Sequence, residues 1–120
     1  MNVKIEKFED LLVWQEAMDL AEEIYIYFKD NRDFGFKDQI QRAAVYVSSN
    51  IDEGFDRQTN KEYMQFLFIA KGSCSEVRTQ LYLAQRFKFI PKDNVEIMLE
   101  KSKGISSMLF KLIKIRKEKF

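Results

Sequence analysis

The chain reads as one all-α domain spanning residues 1–120, an antiparallel up-down-up-down four-helix bundle. Three observations predict this class. Apolar residues recur at three- and four-residue steps along four stretches, the spacing that gathers side chains on one face of a helix. Proline occurs once, at Pro91, and glycine four times, too few turn formers for a sandwich or barrel. Hydrophobic residues make up 46% of the chain, enough for a single core at this length.

The first helix is expected over about residues 10–30. Trp14, Ala17, Ala21, Ile24 and Phe28 share a face, and Asp10 is expected to cap its N-terminus by accepting from free backbone N–H groups. Asp30 to Asp33 with Gly35 form the break. The second helix is expected over about 36–56, with Phe36, Ile40, Ala43, Ala44, Val47 and Ile51 inward and Gly54 near its end. Its small residues allow a neighbouring helix to approach closely.

The third helix, about 59–88, opens on Thr59-Asn60-Lys61-Glu62, a capping box in which threonine caps free amides and glutamate bonds back. Tyr63, Phe66, Ala70, Cys74, Val77, Leu81 and Ala84 form its core face. The fourth, about 91–117, starts at Pro91 in its first turn. Val95, Met98, Leu99, Ile105, Leu109 and Leu112 continue the pattern through Gly104.

Composition removes several function classes. Histidine is absent, which excludes His-based triads, Cys–His dyads and most zinc sites. The single cysteine, Cys74, leaves no internal disulfide and lies on the core face as a small hydrophobe. Met1 to Glu9 lacks the apolar run of a secretory leader, and no stretch approaches the roughly 18 apolar residues that span a bilayer. A cytoplasmic protein without cofactor, metal, membrane partner, small-molecule substrate or catalytic residue is expected.

Net charge is +1, but it is unevenly placed. Residues 1–58 hold 7 Lys/Arg against 13 Asp/Glu, a net of −6, while residues 59–120 hold 13 against 6, a net of +7. Either the halves attract each other, within or between subunits, or the basic half faces an anionic partner. Apolar residues also exceed one stripe, in Ile24 to Phe28 of the first helix and in Tyr63 to Ala70 and Leu81 to Ala84 of the third. A helix apolar around most of its circumference must be covered on more than one side, and a subunit interface would do so.

Two polar features are candidate binding surfaces. On the second helix Gln39, Arg42, Tyr46, Asn50, Glu53 and Arg57 follow at steps of three or four, matched on the third by Ser73, Glu76 and Gln80. The row is either a solvated face or a polar seam between subunits, and Glu76 is expected to pair with Arg42 or Arg57. At the C-terminus Lys111, Lys114, Arg116, Lys117 and Lys119 stand against Glu118 alone. These bases suit phosphate contact, notably Lys111, Lys114, Arg116 and Lys117, or a membrane surface, or they oppose the dipole of the last helix.

The same residues carry a family resemblance. Phe8-Glu9-Asp10-Leu11 with Val13-Trp14-Gln15, Phe34-Gly35-Phe36 with Gln39 to Ala44, Ser49 to Gly54 with Arg57, and Phe66-Leu67 with Ile69-Ala70, Gly72-Ser73, Glu76 and Thr79-Gln80-Leu81 resemble the motifs of the 23S rRNA-intervening-sequence proteins. These four-helix proteins are also labelled S23-type ribosomal proteins. The resemblance covers about residues 8–115. It implies a left-handed bundle assembled into a homopentameric ring, with a role near RNA and no assigned activity. A distant relative, the accessory protein of diversity-generating retroelements, is a basic pentamer that binds nucleic acid. Gln41, Ser48 and Asp52 stand where the family usually has arginine, proline and a small residue. Two of these changes make the second helix more acidic.

The expected function is a non-enzymatic homo-oligomeric scaffold that associates with structured RNA or DNA. The alternative is a protein–protein adaptor ring without nucleic-acid contact. A third reading, an enzyme working through Glu53 and Glu76, lacks a nucleophile with an activating base.

Overall fold

The computed structural model describes residues 7–120. Most of the segment read for a leader, Met1 to Glu9, therefore lies outside the described residues. Four helices follow a short 3₁₀ turn at Phe8–Asp10: α1 (Leu12–Tyr27), α2 (Phe34–Phe55), α3 (Asn60–Arg86) and α4 (Lys92–Lys119). There is no strand among the described residues.

Asp10 does not cap α1. It lies inside the 3₁₀ turn, and the extended Leu11 takes the cap position without a side-chain bond. The turn is tied back onto the helix it precedes. Phe8 packs edge-on against Trp14 with ring centroids 5.3 Å apart, and the Gln15 amide donates to the Glu9 carbonyl at 2.9 Å.

α2 begins two residues earlier than its apolar pattern suggested, because the Asp33 carboxylate accepts from the Phe36 N–H at 3.1 Å. Gly35 is thus helical and not part of the break. Thr59 caps α3 by accepting from the Glu62 N–H at 3.2 Å. The reciprocal bond differs from the usual box, since the Glu62 carboxylate accepts from the Thr59 hydroxyl at 2.9 Å.

The end of α3 carries no glycine. Lys88 adopts the left-handed conformation (φ 59°) instead. This lets the Phe89 N–H reach the Ala84 carbonyl at 3.0 Å and the Lys88 N–H reach that of Gln85 at 3.1 Å. That pair of bonds is the Schellman closure of a helix C-terminus. Pro91 then sits at the cap of α4 and not within its first turn.

Each helix packs on the next in the chain, and α4 closes back on α1. Contacts between side chains fix the directions. Asn60 meets Arg116 at one level of the α3–α4 seam and Cys74 meets Ser102 at another, so these helices run oppositely. Tyr27 with Asn94 and Glu23 with Lys101 show the same for α1 and α4. The bundle measures 45 × 28 × 20 Å.

The core follows the apolar faces closely. Ile24, Phe28, Ile40, Val47, Ile51, Val77, Leu81, Ile105 and Leu109 are fully buried. Trp14, Phe36, Phe66 and Leu112, expected among them, are only half-buried, while Leu20 and Leu67 take fully buried places. Trp14, Phe66 and Leu112 each stand beside a buried residue, Val13, Leu67 and Ile113, that takes the inward place, and Phe36 lies in the first turn of α2.

Candidate functional site

The polar row does not gather into one constellation. On α2, Gln39, Arg42, Tyr46 and Glu53 are exposed and Asn50 is half-exposed, and Arg57, just past its C-cap Asp56, is exposed too. Each charged member is satisfied within a turn of its own helix. Arg42 pairs with Asp38 at 3.0 Å, a hydrogen bond that raises the guanidinium pKa. Arg57 pairs with Glu53, and its guanidinium also lies over the Phe66 ring at 4.7 Å. The Asn50 amide donates to the Tyr46 carbonyl at 2.7 Å.

The expected pairing of Glu76 with Arg42 or Arg57 is therefore not formed. The i,i+4 carboxylates reach those arginines first, because helix geometry already holds them one turn away. Glu76 instead accepts from the Gln80 amide at 3.5 Å. Gln80 is buried, and its carbonyl oxygen has no hydrogen-bond partner among the described residues.

Acidic groups cluster where α2 ends. Asp52 is pushed above the ordinary carboxylate range, first by partial burial and then by the nearby charges of Asp56, Glu53 and Glu9. Among the described residues one ion pair joins the acidic α1–α2 half to the basic α3–α4 half, Glu23 with Lys101 at 3.0 Å.

The C-terminal bases divide into two kinds. Arg116 is half-buried and committed to the fold. Its Nε donates to the Asn60 side-chain carbonyl at 2.7 Å, and the Asn60 amide donates back to the Arg116 carbonyl at 3.0 Å. Its guanidinium also lies over the Phe120 ring at 3.8 Å and the Tyr63 ring at 4.9 Å. Lys111, Lys114 and Lys117 are exposed and make no ion pair among the described residues.

Lys114 and Lys117 border an open groove of about 510 Å³ between α3 and α4. Phe68, Phe110, Ile113 and Glu118 complete its lining. Phe68 fell within the apolar excess of the third helix, but Phe110 escaped the sequence reading. The available signal was its position: an aromatic residue directly after the core residue Leu109 and directly before Lys111, so turned off the core stripe.

Cys74 is fully buried, and its Sγ lies 3.2 Å from the Ser102 carbonyl oxygen. Burial pushes the thiol pKa up to about 11, which disfavours the nucleophilic thiolate. No group of three or more His, Cys, Asp or Glu among the described residues could hold a metal ion. Among the described residues no helix is long and apolar enough to cross a membrane.

A family model described as 23S rRNA-intervening sequence protein matches residues 9–111. The crystal structure of a protein of unknown function from the S23 ribosomal protein family of Bacteroides thetaiotaomicron superimposes with a TM-score of 0.81. That protein is 24% identical, and the match covers 86% of this chain and 99% of the other. At that identity the likeness establishes the fold. Among curated proteins no sequence matches.

Proposed function

The chain belongs to the family of 23S rRNA-intervening sequence proteins, and on that premise we propose that it works as a non-enzymatic, homo-oligomeric scaffold in the cytoplasm, assembled as a five-membered ring and associated with structured RNA or DNA. The observation that carries this reading is the apolar surface left on the outside of the bundle. Ile26 on α1, Ile69 and Tyr82 on α3, and Ile97 on α4 are between 47% and 61% exposed. Single exposed apolar residues are ordinary, but aromatic and aliphatic residues on several outer faces favour burial between copies. The segregated charge supports the same reading, since the acidic side of one copy suits the basic side of the next.

The nucleic-acid part is supported by family membership and by Lys111, Lys114 and Lys117 of α4, which make no ion pair among the described residues. Light scattering on the purified chain is expected to give a multiple of the subunit mass, and a monomer overturns the scaffold. Filter binding to structured RNA at two salt concentrations is expected to show affinity that falls steeply as salt rises. Affinity absent even at low salt removes the nucleic-acid part and leaves the second reading, a protein–protein adaptor ring. The exposed apolar residues of α1 and α3 favour that reading, and capture of one stoichiometric protein partner without RNA would select it.

A further inference from the structure

The α3–α4 groove juxtaposes two features that neither folding nor core packing uses. Phe68 and Phe110 line it and are each 59% exposed, so their ring surfaces remain in water. Two other aromatic residues of α3 are covered by guanidinium groups, whereas Tyr82 on the same helix is 47% exposed. Phe66 lies under the Arg57 guanidinium and Tyr63 under that of Arg116. Ile113, the other apolar lining residue, is buried and offers little surface. The accessible apolar part of the groove is therefore chiefly two phenyl rings.

Positive charge stands beside those rings. Lys114 lies about 6 Å and Lys117 about 10 Å further along the α4 axis than Phe110, on the same face. Neither makes an ion pair among the described residues, and Lys111 is exposed one residue beyond Phe110. Glu118, one turn after Lys114, also lines the groove, so Lys114 and Lys117 against Glu118 leave it an excess of one positive charge.

We propose that this groove binds an unpaired stretch of nucleic acid, with bases stacked on Phe68 and Phe110 and the phosphate backbone held by Lys114 and Lys117. Stacking platforms flanked by cations are how sequence-tolerant single-strand sites work, because every unpaired base offers a π-face while a duplex hides its own. The lysines call for an anionic occupant, and the two exposed ring faces suit unpaired bases, whereas an acidic helix would call for a continuous aliphatic floor. The inference rests on the nucleic-acid part of the function proposed above and narrows it to loops, bulges or single strands.

The test is fluorescence anisotropy of the full chain with a labelled homopyrimidine strand of about 12 nucleotides, against the same strand in a duplex. The single strand is expected to bind more tightly. Phe68→Leu and Phe110→Leu keep an apolar side chain but lose the π-face, and each is expected to weaken binding about tenfold with the salt slope unchanged. Lys114→Gln is expected to reduce the slope of log affinity against log salt by about 0.7, one phosphate on a single strand.

If the wild-type chain binds nucleic acid but both leucine variants bind equally well, the groove assignment falls and the wider function stands. If the wild-type chain binds neither the oligonucleotides nor structured RNA, both fall. If the leucine variants lose their assembly by light scattering, the groove belongs to a neighbouring copy and the proposal is overturned.

Discussion

Burial keeps Cys74 protonated, and this has a consequence for stability. Its pKa rises from the ordinary 9.0 to about 11 because the thiolate would be desolvated beside the Ser102 carbonyl. The folded state therefore holds the thiol proton more tightly than the unfolded chain does. The stabilisation is whole below pH 9.0 and is lost as pH climbs from there through about 11. The melting temperature is expected to fall across that window, and Cys74→Ala should flatten part of the fall. A slope that the substitution leaves unchanged assigns the loss to other groups with raised pKa values, Tyr63 through burial and Lys101 through its bond to Glu23. The inward position of Cys74 was legible from its spacing to Ala70 and Val77. The role of Arg116 was not. A run of five bases reads as uniform charge, and only the arrival of Asn60, Tyr63 and Phe120 around one of them makes it structural.

The expected helix bounds lie within about three residues of the observed ones. Thr59 caps α3 because the bonds it makes lie inside its own turn, whereas the start of α1 is decided by Phe8 packing on Trp14. Gly54 shows what an element cannot reveal alone. It lies in the last turn of α2, where a glycine suggests a helix end, yet its reason is its neighbour. A Cβ built there would lie 2.8 Å from the Phe66 Cβ and 3.2 Å from the Tyr63 carbonyl oxygen, so α3 sits where only a hydrogen fits. Gly54→Ala is expected to destabilise the fold by about 1–3 kcal/mol through overpacking, despite alanine's better helix propensity. Gly72→Ala and Gly104→Ala meet nothing within 4 Å and should stabilise by about 0.5–1 kcal/mol. Urea midpoints of the three variants would check both signs, and a stabilised Gly54→Ala would mean that α2 and α3 can part at little cost.

At the scale of the whole molecule, the charge asymmetry takes on a defined shape. The acidic half becomes α1 and α2 and the basic half α3 and α4, joined among the described residues by the single pair Glu23–Lys101. Attraction within the subunit thus uses little of the segregated charge, which leaves contacts between copies or with an anion. If unlike faces of neighbouring copies meet, association should weaken as salt rises from about 0.1 M to about 1 M, where the screening length shrinks from about 10 Å to about 3 Å. Sedimentation velocity at the two concentrations would read this as a shift toward smaller species. A distribution insensitive to salt assigns the assembly to apolar contact alone.

By itself the sequence determined the class of fold, the number of helices and most of the buried face. Those properties follow from periodicity and capping, which act over one or two turns of a chain and are written in neighbouring residues. It also exposed the apolar surplus and the opposed charges, because both are sums over composition. Only the tertiary structure decided which polar groups meet. Arg42 and Arg57 stay with carboxylates on α2, Glu76 turns to Gln80, and Arg116 is drawn into the α3–α4 seam. It likewise brought Phe68 and Phe110, 42 positions apart in the chain, into one groove beside Lys114 and Lys117. Such encounters depend on the level at which two oppositely directed helices pass each other, and no pattern within either helix encodes that level.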